Sequence, residues 1–245
     1  MASLSDIGCQ RENNEDQYAY WEPSNDEEFA RKGRLAIVAD GMGGHEGGQE
    51  ASRIAVESIQ EVFAHAPDND VQSALTVGFQ IAHERILKYA ATHPELQGMG
   101  TTATAIALQG NVLYYAHVGD SRLYLLRGTT ISRITHDHSY VGRLVENGLI
   151  SAEEAETHPQ RHILTAALGA GAEVWPETSH PIRLQAGDVL VLCTDGLWSL
   201  LSEKEIGTVV GRSEPAEACR TLIQMTKDRG APDNITVQVL RLSAV

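Results

Sequence analysis

The chain has 245 residues, 42% hydrophobic and 21% charged, enough apolar material for one core without disulfide or metal staples. A formal net charge of −14 disfavours nucleic acid and anionic membranes as partners, and no apolar run approaches the ~20 residues of a membrane span. Three scattered cysteines, Cys9, Cys193 and Cys219, match neither a zinc ribbon nor a disulfide framework, and the start Met1-Ala2-Ser3-Leu4-Ser5-Asp6 lacks the basic and apolar regions of a signal peptide, so a reducing cytoplasm is expected.

One domain over 1–245 is expected. A charged connection, Gln10-Arg11-Glu12-Asn13-Asn14-Glu15-Asp16, leads into a strand at 17–21, marked by its aromatics. Residues 23–34 have the composition of an exposed loop. The apolar run 35–39 is a buried strand, and Asp40-Gly41-Met42-Gly43-Gly44-His45 follows it. Ala51, Ala55, Ile59 and Phe63 recur at spacing four, which predicts a helix broken at Pro67-Asp68-Asn69-Asp70. A second helix carries Val71, Leu75, Gly78, Ala82 and Ile86 on one face and closes at Pro94. Residues 101–134 are expected as a β-meander with turns at 109–111, 119–120 and 127–129. The segment 136–170 is polar and weakly periodic, with Ser151-Ala152-Glu153-Glu154 matching a helix cap, and is expected as a mobile flap of short helices. Extended chain follows at 174–184. A strongly apolar strand at 188–193 runs into Thr194-Asp195-Gly196, two helices occupy 202–212 and 214–229, and a last strand covers 235–240. In the second of these helices Ala216, Cys219, Ile223 and Thr226 share a face. Helices that come in consecutive pairs predict an α+β fold, with antiparallel sheets inside and helix pairs outside, rather than alternating βαβ units.

Asp40 and Asp195 each end an apolar strand and precede a glycine. Asp120 follows Val118-Gly119, and Asp233 precedes the last strand. Any one of them could be an ordinary turn aspartate. Gathered at one rim, four carboxylates would repel one another unless a cation neutralised them, and an all-oxygen donor set favours Mg²⁺ or Mn²⁺ over Zn²⁺. Two such ions, about 3.5–4 Å apart, would clamp a bridging water and lower its pKa toward neutrality. His45 could then protonate a leaving alkoxide, and Arg11 offers a planar fork to phosphate oxygens. His136-x-His138 and His158 with His162 allow a separate zinc site, against which Pro159 argues for the second pair. Cys193, inside an apolar strand, is expected to pack rather than to react.

These stretches together resemble the bacterial type-2C metal-dependent serine/threonine protein phosphatases of the PPM family. The matching motifs are Gly8-Cys9-Gln10-Arg11-Glu12-Asn13-Asn14-Glu15-Asp16, Val38-Ala39-Asp40-Gly41-Met42-Gly43-Gly44-His45, Gly100-Thr101-Thr102, His117-Val118-Gly119-Asp120-Ser121-Arg122, Leu192-Cys193-Thr194-Asp195-Gly196-Leu197 and Asp233-Asn234-Ile235-Thr236-Val237. The resemblance implies a four-layer α-β-β-α sandwich with two mostly antiparallel sheets. It implies that Asp40 bridges two Mn²⁺ or Mg²⁺ ions, that Asp195 and Asp233 complete the first site, and that the Gly41 carbonyl helps hold the second. Glu15 and Asp16 would act through metal-bound water, and Asp120 with Asp195 would hold a weaker third ion. Arg11 would bind the substrate phosphate, His45 would be the acid, and 137–165 would be the family's flap. The implied reaction is hydrolysis of phosphoserine and phosphothreonine in proteins by direct attack of water, opposing a Ser/Thr kinase; a monomer is the default expectation, and with the chain stopping after Val245 no membrane or sensor segment is expected. Residues 23–34 are somewhat long for a minimal bacterial member. Two rival readings are a metallophosphatase for small phosphoesters and a catalytically silent module that binds phosphoproteins.

Overall fold

The computed structural model describes residues 1–43, 46–66, 70–178 and 180–243. The first half runs β1 (Ala2–Asp6), β2 (Asp16–Trp21), α1 (Asp26–Lys32), β3 (Arg34–Met42), α2 (Glu46–His65) and α3 (Val71–Thr92), then β4 (Gly100–Thr101), β5 (Ala103–Gln109) and β6 (Val112–Val118). The second half runs β7 (Arg122–Arg127), β8 (Thr130–Arg133), α4 (Tyr140–Glu146), α5 (Ala152–Glu156), β9 (Glu177–Thr178), β10 (Ile182–Arg183), β11 (Val189–Cys193), α6 (Asp195–Trp198), α7 (Glu203–Arg212), α8 (Pro215–Asp228) and β12 (Ile235–Arg241).

Alternation along the central strands sets the layers. In β3, Leu35, Ile37 and Ala39 pack with Ile59, Phe63, Leu75 and Phe79 of α2 and α3, while Ala36 and Val38 face the other way. In β11, Val189, Val191 and Cys193 pack with Ile206, Val210, Cys219 and Leu222 of α7 and α8, while Leu190 and Leu192 face inward. Ala36, Val38, Ile106, Leu123, Leu190 and Leu192 meet between the sheets. A strand buried on both faces therefore reads as an unbroken apolar run, and a period-two chain feeds two separate cores. Each fully buried Leu or Ile contributes about 1.5–3 kcal/mol of transfer free energy.

One sheet has the order β1-β12-β11-β7-β8. The other has the order β10-β6-β5-β3-β2, with β4 paired to β3 and β9 paired to β6. Every named pair is antiparallel. With α2 and α3 on one outside and α7 and α8 on the other, the fold is the expected α+β four-layer sandwich.

Four expectations differ from the structure. The 23–34 loop contains α1, which buries no residue and so has no apolar stripe to betray it; its signal is the Asn25 cap, whose side chain accepts from the Glu28 N–H. The 101–134 meander is split, because β5 and β6 lie in one sheet and β7 and β8 in the other, and Gly119-Asp120 is a crossing between sheets rather than a hairpin turn. Strand β1 and helix α6 had no counterpart in the sequence reading; β1 is a half-buried edge strand without clean alternation. In α8 it is Ala218 and Leu222, not Ala216, that join Cys219, Ile223 and Thr226 in the core. The expected helix break at 67–69 lies outside the described residues.

The 137–165 segment does carry two short helices, and Ser151 and Glu154 form the capping box read from the sequence. Its root is fastened to β7: the Arg122 guanidinium grips Asp137 through two bonds of 3.0 and 2.6 Å and stacks on the Trp198 ring at 3.5 Å.

Candidate metal centre at the sheet ends

Neighbouring antiparallel strands bring Asp16 of β2 and Asp40 of β3 directly opposite one another. Asp195, which opens α6, and Asp233, which precedes β12, come from the adjacent strand ends of the other sheet. Thr194 N–H donates to the Thr236 carbonyl there. Thr194 Oγ1 then accepts from Thr236 N–H at 3.0 Å and donates to Asp16 Oδ2 at 2.8 Å, which ties the two sheets together beside the carboxylates.

The backbone at Asp40 is held on both sides. Its N–H donates to Thr102 Oγ1 at 3.1 Å, and its carbonyl accepts from Thr101 Oγ1 at 2.8 Å and Thr102 N–H at 2.9 Å. Gly41 N–H donates to the Glu15 carbonyl, which also accepts from Ser52 Oγ at 2.6 Å. A Cβ on Gly41 would strike the Gly48 carbonyl of α2, and one on Gly48 would come 2.5 Å from Glu15 Oε2, so these glycines exist for close approach. Asn234 knits the polar connection to β12: its Nδ2 donates to the Ile7 and Asn13 carbonyls and its Oδ1 accepts from Glu15 N–H. Arg11 reaches Asp233 Oδ2 at 2.8 Å with half its side chain exposed.

The electrostatics are those of crowded like charges. Burial, then the charges of Asp195 and Asp233, push Asp16 up to about 7 despite hydrogen bonds from Thr236 and Thr194. Burial and then Asp16, Asp195, Asp120 and Asp233 drive Asp40 well above the usual carboxylate range. Asp120 is raised by burial and by Asp195 and Asp137, and Asp195 by burial and Asp233. Two oxygens in this cluster, Asp16 Oδ1 and Asp195 Oδ1, are buried with no hydrogen-bond partner. Orphaned carboxylate oxygens, an all-oxygen donor set and a glycine-walled cradle fit hard divalent ions.

Asp16, Asp40, Asp120, Asp195, Asp233 and Arg11 are thus brought together, with Glu15 and Gly41 alongside. His45 lies outside the described residues. The histidines that could have paired around zinc have other partners: His136 and His138 both turn to Glu177, and His158 Nδ1 accepts from Gln160 N–H beside the Tyr140 ring. Cys193 is buried, and burial pushes its thiol up to about 12, which makes it a packing residue. The residues that position the cluster, Thr194, Asn234, Thr101, Thr102, Ser52 and Trp198, had no assigned role in the sequence reading. The usable signal was adjacency, since Thr194, Asn234 and the Thr101-Thr102 pair sit in or beside the aspartate-bearing motifs.

Residues 10–236 match the family described as protein phosphatase 2C. Serine/threonine protein phosphatase PstP of Mycobacterium tuberculosis is 39% identical over 239 residues, which are 97% of this chain and 44% of PstP, so the chain spans less than half of that relative. Protein phosphatase PhpP of Streptococcus pneumoniae is 35% identical over 250 residues, 99% of this chain and 97% of PhpP. The crystal structure of the PstP catalytic domain in complex with two manganese ions superposes with a TM-score of 0.83 at 36% identity, covering 97% of this chain and 95% of that one.

Proposed function

Because this chain belongs to the protein phosphatase 2C family, we propose that it is a metal-dependent hydrolase of phosphoserine and phosphothreonine in proteins. The observation that carries the proposal is the buried aspartate cluster with unpaired oxygens on Asp16 and Asp195. Asp40, Asp195, Asp233 and the Gly41 carbonyl are the candidate ligands of two Mn²⁺ or Mg²⁺ ions, Glu15 and Asp16 would act there through water, and Asp120 with Asp195 would hold a third, weaker ion. When bound, the ions supply an activated water and neutralise charge on the phosphoryl oxygens.

The chain's own residues do the rest. Arg11, now paired with Asp233 and half exposed, offers its free guanidinium edge to the substrate phosphate and orients it for in-line attack. His45 gives a proton to the serine or threonine oxygen as it leaves. No phosphoenzyme is needed, and the buried Cys193, its thiol near 12, could not form one.

Thr101, Thr102 and Thr194 keep the carboxylates fixed so that little reorganisation accompanies the reaction. The segment 137–165 serves as the flap governing access. The proposal extends to substrates made by a Ser/Thr kinase and to a cytoplasmic monomer; among the described residues no helix is long and apolar enough to cross a membrane.

Phosphate release from phosphoserine and phosphothreonine peptides tests this. It is expected to require Mn²⁺ or Mg²⁺, to stop on chelation and to fall by more than ~100-fold in Asp40→Asn. Metal-independent release, or an Asp40→Asn protein at full rate, would overturn it. A larger kcat/KM on small phosphoesters than on phosphopeptides would move the assignment to metabolite hydrolysis.

A further inference from the structure

Beside the aspartate cluster lies a second polar group that the proposed chemistry does not use. His138, at the start of the 137–165 segment, holds both main-chain polar groups of Gly119. Its main-chain N–H donates to the Gly119 carbonyl at 2.7 Å, and its ring Nδ1 accepts from Gly119 N–H at 3.3 Å. A backbone N–H can only donate, so Nδ1 is the bare nitrogen and the ring proton sits on Nε2. Nε2 faces Glu177 Oε2 at 3.6 Å.

Glu177 is itself fixed. Tyr115 OH donates to Oε1 at 2.7 Å, His136 Nδ1 meets Oε1 at 3.0 Å, and His136 N–H donates to Oε2 at 3.1 Å. Burial opposes its charge, but the neighbouring His138 and the bonds from His136 and Tyr115 outweigh it and hold the carboxyl down to about 2. It is therefore an acceptor only, and an acceptor at this place keeps the proton on His138 Nε2. The His117 ring, at 4.9 Å, packs against His138 from β6. His117, His138 and Glu177 have the spacing of a metal cage. However, His138 Nδ1 and both Glu177 oxygens already take protein donors, and His117 Nε2 faces the His136 carbonyl at 3.1 Å.

What the group fixes is the crossing between the sheets. Gly119 has φ +108°, and a Cβ there would come 2.5 Å from the Thr102 side chain. Asp120 follows it directly, and its carbonyl accepts from Trp198 Nε1 at 2.9 Å. With Gly119 gripped on one side and the Asp120 carbonyl held by Trp198 on the other, the backbone that carries the Asp120 carboxylate is fixed.

We propose that Glu177 and His138 are positioning residues. Glu177 selects the His138 tautomer, His138 clamps Gly119, and the clamp aims Asp120 at the carboxylate cluster while pinning the root of the 137–165 segment. The role in metal binding rests on the metallophosphatase reading above.

The test pairs two substitutions of similar size. Asn at 138 can place its amide oxygen where Nδ1 is and still accept from Gly119 N–H. Gln at 138 reaches toward Glu177 and leaves Gly119 N–H unpaired. Calorimetric Mn²⁺ titration is expected to show the weakest site loosened by roughly tenfold in His138→Gln, about the cost of one lost hydrogen bond to a polar group. The tighter sites should hold within about twofold, and His138→Asn should retain the wild-type profile. Long-range ¹H–¹⁵N correlation spectra of the Mg²⁺-loaded wild-type protein should show His138 protonated at Nε2.

Equal Mn²⁺ affinities in the two variants, or a His138 proton on Nδ1, would overturn the positioning role and leave the phosphatase reading intact. Wild-type protein that binds no Mn²⁺ would defeat both.

Discussion

Asp16 Oδ1 and Asp195 Oδ1 are buried carboxylate oxygens without a donor, and Asp40 lies within the field of both side chains. Folding without a cation therefore concentrates negative charge, and the protein responds by holding protons. Asp16 shifts from 3.8 to about 7, so between those values the metal-free native state binds more protons than the unfolded chain. Its stability must fall as pH rises through that window. Chelated protein is expected to melt at a lower temperature at about pH 8 than at about pH 5.5. Saturating Mn²⁺ should reverse the loss at the higher pH, by about 2.7 kcal/mol at a hundred times its Kd. Differential scanning calorimetry of the chelated and loaded protein checks this, and a metal-free melting temperature that climbs from acid to alkaline pH would contradict it. The aspartates were legible in the sequence because four of them flank apolar runs or sit beside glycine. Asn234 and Thr194 were not, because what they do depends on chain segments far apart in sequence meeting, as when Asn234 binds Ile7 and Asn13 and Thr194 binds Asp16.

At the scale of elements, the site is built from the end of β3, the start of α2 and the paired ends of β11 and β12. Gly41 and Gly48 let β3 and α2 touch backbone to backbone. A methyl group at Gly41 meets a carbonyl that cannot rotate away, so Gly41→Ala is expected to cost about 1–3 kcal/mol. It should also weaken Mn²⁺ binding, because the strand end must move. Urea unfolding with and without Mn²⁺ measures both effects, and a variant unchanged in either would show that the contact is dispensable. Paired helices and strongly apolar strands were read correctly because their patterns reflect burial. Helix α1 was missed because it buries nothing. The β6–β7 connection was misassigned because a Gly-Asp pair marks a change of direction equally well within one sheet or between two.

For the whole molecule, the inner apolar layer decides how the two sheets, and so the two halves of the carboxylate cluster, face each other. Leu192 is fully buried there, two residues before Thr194 and three before Asp195. Leu192→Ala is expected to destabilise the fold by about 2–5 kcal/mol, read as a lower urea midpoint at unchanged m-value, and a shift under 1 kcal/mol would contradict the inner-layer account. The layer order was legible from helices occurring in pairs, whereas which strand joins which sheet was not, since period-two alternation is the same in both.

The central claim is that distant aspartates form one two-ion site. Its most direct test is anomalous diffraction at the manganese edge from Mn²⁺-soaked crystals. Two strong peaks are predicted among Asp40, Asp195, Asp233 and the Gly41 carbonyl. No peak there, or manganese only at other carboxylates, would contradict the account.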